Sequence, residues 1–172
     1  HYKTGETIPD DLIAKLQAAS THNQGFTTTE LAGAALLDLK WGQLTNTDSI
    51  DVESFEREVA SQLNMPAEVQ YRYRSPYFKH VFGSDEYSCG YYTYLWAEVL
   101  DTDGFELFKE KGIFDPETAR SFRENVLEMG GSEDPMELFI KFRGRKPTPD
   151  ALLRNRGLIE SKELNVNTPE HK

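Results

Sequence analysis

Cysteine is nearly absent: Cys89 stands alone, so no internal disulfide can staple the chain, and a reducing compartment, the cytoplasm, is its expected setting. Long apolar runs are absent too. No stretch approaches the roughly 18 residues that a membrane-crossing helix needs, so no membrane is expected among its partners. Positive charge is scarce: 19 Lys and Arg stand against 29 Asp and Glu, a formal net charge of −10. So acidic a surface lacks the clustered cations whose counterion release drives nucleic-acid binding, which argues against a nucleic-acid partner. No His-Glu-x-x-His occurs, and His1, His22 and His171 have no companions at metal-ligand intervals, so the chain is expected to hold no metal by itself. Met does not open the chain. His1 does, without the charged and then apolar stretch of a signal peptide, which predicts a processed product or an excised piece.

What is present is helical periodicity. The 172 residues, 38% of them hydrophobic, suffice for one domain or for one lobe of something larger. Apolar residues recur at helical spacing and alternating strand patterns are missing, so an all-α chain is predicted. Leu12, Ile13, Leu16 and Ala19 form a stripe after Pro9 and before Asn23 and Gly25. Thr27 and Glu30 have capping-box spacing ahead of Leu31, Ala34, Ala35, Leu37 and Leu39. Val52, Phe55, Val59 and Leu63 share a third helical face. A fourth helix is expected from about Glu86 to Leu100, with Asp103-Gly104 separating it from a short apolar segment around Phe105 and Phe108. Asp115-Pro116, Asp134-Pro135 and Thr148-Pro149 each put a side-chain acceptor at an N-cap and Pro at the first helical position. Beyond Gly157 large apolar residues thin out, and a peripheral strap or frayed tail is expected.

The window from His80 to Trp96 is the richest in chemistry. On an α-helix, at about 100° per residue, Tyr87, Tyr91 and Tyr94 fall within roughly 60° of one another with Glu98 on the same arc, while Tyr92, Trp96 and Val99 face the other way to pack. A phenol with its ordinary pKa of about 10 stays protonated at neutral pH and can donate a hydrogen bond to a developing oxyanion. His80 can donate or accept in the same cleft, and Gly83 and Gly90 allow backbone or ligand to come close. The same spacing also suits a half-buried packing stripe with satisfied hydroxyls. Arg72 and Arg74, alternating with Tyr71 and Tyr73, have the chemistry to grip a carboxylate, although solvated arginines are the commoner case. Arg143-Gly144-Arg145-Lys146 reads as a solvated basic turn and Cys89 as an inert packed thiol.

Tyr77-Phe78, His80, Tyr87, Gly90-Tyr91-Tyr92, Tyr94, Leu95 and Trp96 resemble the C-terminal part of the thimet oligopeptidase family of zinc metallopeptidases, which includes oligopeptidase A and the peptidyl-dipeptidases. The likeness extends to Tyr2-Lys3-Thr4-Gly5, Asn23-Gln24-Gly25-Phe26, Phe122-Arg123, Gly131-Ser132 and Phe142-Arg143-Gly144-Arg145, so it covers nearly the whole chain. The ending, Arg154-Asn155-Arg156-Gly157-Leu158, looks closest to the peptidyl-dipeptidase branch.

The resemblance implies that residues 1–158 are the C-terminal helical lobe of a two-lobed all-α peptidase and that 159–172 are a peripheral tail. Zinc in the full-length enzyme would be held upstream of His1, by a His-Glu-x-x-His helix and a further Glu. Tyr94 and Tyr91 would be the catalytic hydroxyls nearest the scissile carbonyl and His80 the family histidine beside them. Tyr87, Gly83 and Gly90 would be substrate-binding positions on a glycine-rich loop. Short peptides and the missing N-terminal part would be the partners, the intact enzyme a monomer that releases C-terminal dipeptides, and this chain inactive alone. Ser84-Asp85-Glu86 makes the link from histidine to first tyrosine longer and more acidic than is usual in the family. From the residues alone, a non-catalytic helical module that binds peptides or a protein through its tyrosine face is the alternative.

Overall fold

A computed structural model describes residues 1–160, and among these every regular element is helical. The predicted tail 159–172 lies, apart from its first two residues, outside the described residues. The helices are α1 (Asp10–Ala19), α2 (Gln24–Gly42), α3 (Val52–Gln62), α4 (Lys79–Phe82), α5 (Thr93–Lys111), α6 (Pro116–Phe122), α7 (Pro135–Arg143) and α8 (Asp150–Asn155). A π-helical turn over Arg123–Leu127 follows α6 directly.

Two layers of packing matter for function. In the first, α2 runs beside α3, and Gly33 has no Cβ because the Met65 side chain occupies that space. Ala34 and Ala35 of α2 are buried with Phe78, Val81 and Tyr91, a small core against which Leu31 also packs. In the second, α5 packs against α6, α7 and α8, with Phe108, Phe122 and Phe142 meeting ring to ring. Arg156 joins the layers. Its guanidinium donates to Glu98 of α5, with the Nε bond at 3.2 Å, and its Nη1 donates to Thr28 Oγ1 of α2 at 2.9 Å.

Several local expectations change. The Thr27–Glu30 pair is not a cap, because α2 already begins at Gln24 behind Asn23 in the left-handed region. Asp115 and Asp134 do cap α6 and α7, accepting from Thr118 N–H and from the N–H groups of Met136 and Glu137. Thr148 does not cap α8, which starts after Pro149 with no side-chain cap. Asp103-Gly104 is no break: α5 runs straight through it to Lys111. Here Asp103 is buried against Arg145, and Gly104 is buried where Phe139 and Phe142 pack on the helix. The basic cluster is therefore an anchor for a buried acid and not a solvated turn. The stripe on α1 is left largely uncovered, with Leu12 and Leu16 exposed and Ile13 half-buried.

Candidate active site

The tyrosines are gathered by turns and not by one helix. α5 begins only at Thr93, so Tyr87 sits in a 3-10 turn (Asp85–Tyr87) and Tyr91 in the turn that leads into α5. The expected helix from Glu86 is overruled at Cys89, whose φ of +56° lies in the left-handed region. That kink is held by Asp38, a buried carboxylate of α2 that accepts the N–H of Cys89 at 3.1 Å and the N–H of Tyr91 at 3.0 Å. Glu98, expected to join the tyrosines, instead pairs with Arg156. Tyr92 and Trp96, expected to pack, remain nearly half exposed.

The turns nonetheless converge on His80, which α4 presents one position before the buried Val81. Its Nε2 lies 2.7 Å from Tyr94 Oη. Its ring centre stands 4.9 Å from that of Tyr87, 5.7 Å from Tyr91 and 5.7 Å from Tyr94, and Tyr91 meets Tyr94 edge-on at 5.2 Å. The longer Ser84-Asp85-Glu86 link folds into its turn without parting His80 from the tyrosines. The four rings differ in exposure. Tyr91 is 7% exposed and stacks edge-on with Phe78 beneath it, whereas Tyr94 is 45% exposed and Tyr87 and His80 also face outward. Burial pushes the Tyr91 phenol up from its ordinary pKa, an effect that nearby Arg72 opposes, so this hydroxyl keeps its proton well past neutrality.

Lys79, His80, Gly83, Ser84 and Tyr87 line a shallow cavity beside the ring cluster. Gly83 lines it and Gly90 lies in the turn that follows Tyr87, each glycine for a local reason. A Cβ on Gly83 would come within 2.6 Å of the Lys79 carbonyl, and Gly90 N–H donates to Tyr87 O at 2.9 Å in a turn where a Cβ would be tight. Upstream, the loop is pinned at Ser75. Buried Glu56 of α3 accepts its N–H at 2.6 Å and the Arg74 guanidinium, and Ser75 Oγ accepts from Trp41 Nε1 at 2.9 Å. Arg74 is thus committed to Glu56 and Glu53, while Arg72 lies over the face of the Tyr73 ring.

A convergent His and three phenols beside a groove form a hydrogen-bonding surface with the chemistry of oxyanion stabilisation. The family model that matches residues 1–158 is that of peptidase family M3. The chain belongs to peptidase family M3. Among its M3 relatives are a dipeptidyl carboxypeptidase of Escherichia coli (strain K12), 42% identical over 161 residues, and one of Salmonella typhimurium with the same identity. An oligopeptidase A of Haemophilus influenzae is 37% identical over 161 residues. Each alignment covers 92% of this chain and 23% of the relative, so the chain spans about a quarter of the length of the curated M3 proteins it matches.

M3 peptidases are in general zinc-dependent. The described residues of this chain do not fit a zinc ion, since among them no group of three or more His, Cys, Asp or Glu side chains gathers at one place. Nor, among them, is any helix long and apolar enough to cross a membrane. What reading the sequence missed is the support beneath the rings, Asp38 and Glu56. The signal for Asp38 was there: one acid in the otherwise apolar run Leu31–Leu39 beyond Gly33.

Proposed function

We propose that this chain is the substrate-facing portion of a zinc metallopeptidase that hydrolyses short peptides in the cytoplasm, releasing dipeptides from their C-termini. The observation that carries the reading is the contact of His80 with Tyr94 at the centre of the tyrosine cluster. In the tautomer with its proton on Nε2, His80 donates to the Tyr94 oxygen and leaves the phenol proton free to be given to a peptide carbonyl as that oxygen gains negative charge. Tyr91, a phenol that is protonated at neutral pH, is the second donor, and Tyr87 at the groove rim contacts the peptide backbone. Zinc, when bound to the longer protein, supplies an activated water and a Lewis acid. The residues described here do not fit it, so its ligands and the general base belong to another part of that protein, and this chain alone is inactive. Dipeptide release is favoured over internal cleavage by the two relatives named dipeptidyl carboxypeptidase, whose identity to the chain exceeds that of the oligopeptidases A.

The test is made on the full-length protein with short peptides and mass-spectrometric product analysis. Tyr94→Phe should lower kcat by about 100-fold, the usual cost of one oxyanion donor, at unchanged thermal stability. Unchanged turnover would make the tyrosines packing residues. Internal fragments in place of C-terminal dipeptides would replace the peptidyl-dipeptidase reading with an oligopeptidase one, and zinc-dependent hydrolysis by the 172-residue chain alone would refute its inactivity.

A further inference from the structure

We propose that Asp38 is a positioning residue for the tyrosine face, acting through a latch between α2 and the turn that carries Tyr91; the inference rests on that face acting on substrate. Asp38 lies one turn before the C-terminal end of α2 and is 2% exposed. A carboxylate so buried demands full hydrogen bonding, and its two oxygens meet two backbone N–H groups, one each from Cys89 and Tyr91. The turn needs such a clamp, because Cys89 occupies a left-handed conformation that a residue with a Cβ avoids unless its surroundings impose it. A second contact comes from Gly42, one helical turn further along α2 and therefore on the same face. A Cβ there would lie 1.9 Å from the Cys89 sulfur, so the thiol is seated in the space this glycine leaves open.

The latch reaches the site in three ways. Tyr91 hangs directly on it, and its ring packs on the α2 alanines through the shared core. Tyr94 stands in the first turn of the helix that starts two residues after Tyr91. Tyr87 is tied back to the same turn by the bond from Gly90 N–H to its carbonyl. All three hydroxyls are therefore placed relative to α2, and electrostatic preorganisation of this kind is lost when donors shift by fractions of an ångström.

The experiment is done on the full-length peptidase. Asp38→Asn keeps the shape but swaps one acceptor for an NH2 group facing a backbone N–H, so the clamp cannot close on both donors. The expected result is a kcat lowered 10- to 100-fold with KM within threefold of wild type. Leu138→Ala on α7, which lowers stability away from the site, should leave both constants unchanged at a temperature where the protein is folded. Unchanged kcat, or a raised KM with normal kcat, in Asp38→Asn overturns the latch while a loss in Tyr94→Phe leaves the tyrosine reading standing. If Tyr94→Phe is also fully active, the functional reading itself has failed. Should Asp38→Asn not fold, Gly42→Ala takes its place: it should lower kcat by displacing the Cys89 sulfur, and adding Cys89→Ala should restore it to within threefold. No loss in Gly42→Ala, or a loss that Cys89→Ala fails to rescue, overturns the proposal.

Discussion

The carboxylate of Asp103 meets the guanidinium of Arg145 with 2.8 Å between Oδ2 and Nη1, across forty-two residues of chain and in the middle of a nineteen-residue helix. Arg143 adds a bond from its Nε to the Asp103 carbonyl at 3.0 Å and reaches on to Glu110. Two arginines therefore hold α5 to the C-terminal end of α7 and the segment that follows it.

The first prediction concerns this anchor. Arg145→Ala removes one partner of a buried charge and leaves Asp103 with Arg143 alone. A loss of about 2 kcal/mol in stability is expected for the full-length protein, the lower range for a hydrogen bond to a charged group, because the Arg145 side chain is itself partly in solvent. Denaturant unfolding measures it, and a change under a few tenths of a kcal/mol would mean that Arg143 suffices.

A second prediction tests the His80–Tyr94 pair as a unit. His80→Ala should lower kcat by about 100-fold, the low end of the usual range for a group that assists proton transfer. Added to Tyr94→Phe, it should cost little more, because groups that act through one hydroxyl are not additive. Additive losses would separate their roles.

Phe78 supports the third. It is 1% exposed and packs against Tyr73, Phe82 and Tyr91, with its ring centre 4.8 Å from that of Tyr91. Phe78→Ala should destabilise by about 3–5 kcal/mol through lost burial and the cavity left behind. Turnover should also fall at temperatures where the variant remains folded, since Tyr91 loses its floor. Retained turnover would show that the Asp38 bonds alone keep Tyr91 in place.

The fourth is a pH dependence. Burial, helped by the nearby charge of Glu56, pushes the Tyr71 phenol up to about 12. In the unfolded chain it titrates near its ordinary value of about 10. The folded state thus binds this proton more tightly, and the associated stability is complete below about pH 10 and lost as pH rises towards 12. Tyr71→Phe should flatten the fall in stability over that window, read from urea unfolding at stepped pH. An unchanged slope would assign the alkaline fall to other groups.

How far the sequence revealed these features depended on distance along the chain. Helices with an Asp-Pro start, such as α6 and α7, were legible because the capping carboxylate lies only two or three residues from the N–H groups it accepts. The grouping of His80 with the three tyrosines was also legible, although helical periodicity named the wrong cause. No local rule foretells that a carboxylate fifty-one residues before Cys89 will bend the chain there. Asp103-Gly104 failed in the same manner, since the pair has turn chemistry until arginines forty and forty-two residues later pair with the acid. On α1 the stripe was legible and its exposure was not, because periodicity shows which face is apolar and not whether anything covers it.

Because α5 is unbroken, it acts as an index shaft between two fixed points. Tyr94 lies in its first turn and Asp103, gripped by the arginines, nine residues and about 13 Å further along. Each residue added or removed between them would turn the Tyr94 hydroxyl by about 100° about the helix axis while the arginine grip stayed in place. The span from Tyr94 to Asp103 should therefore accept substitutions on its outer face yet admit neither insertion nor deletion, its length being as much a determinant of the site as the tyrosine itself.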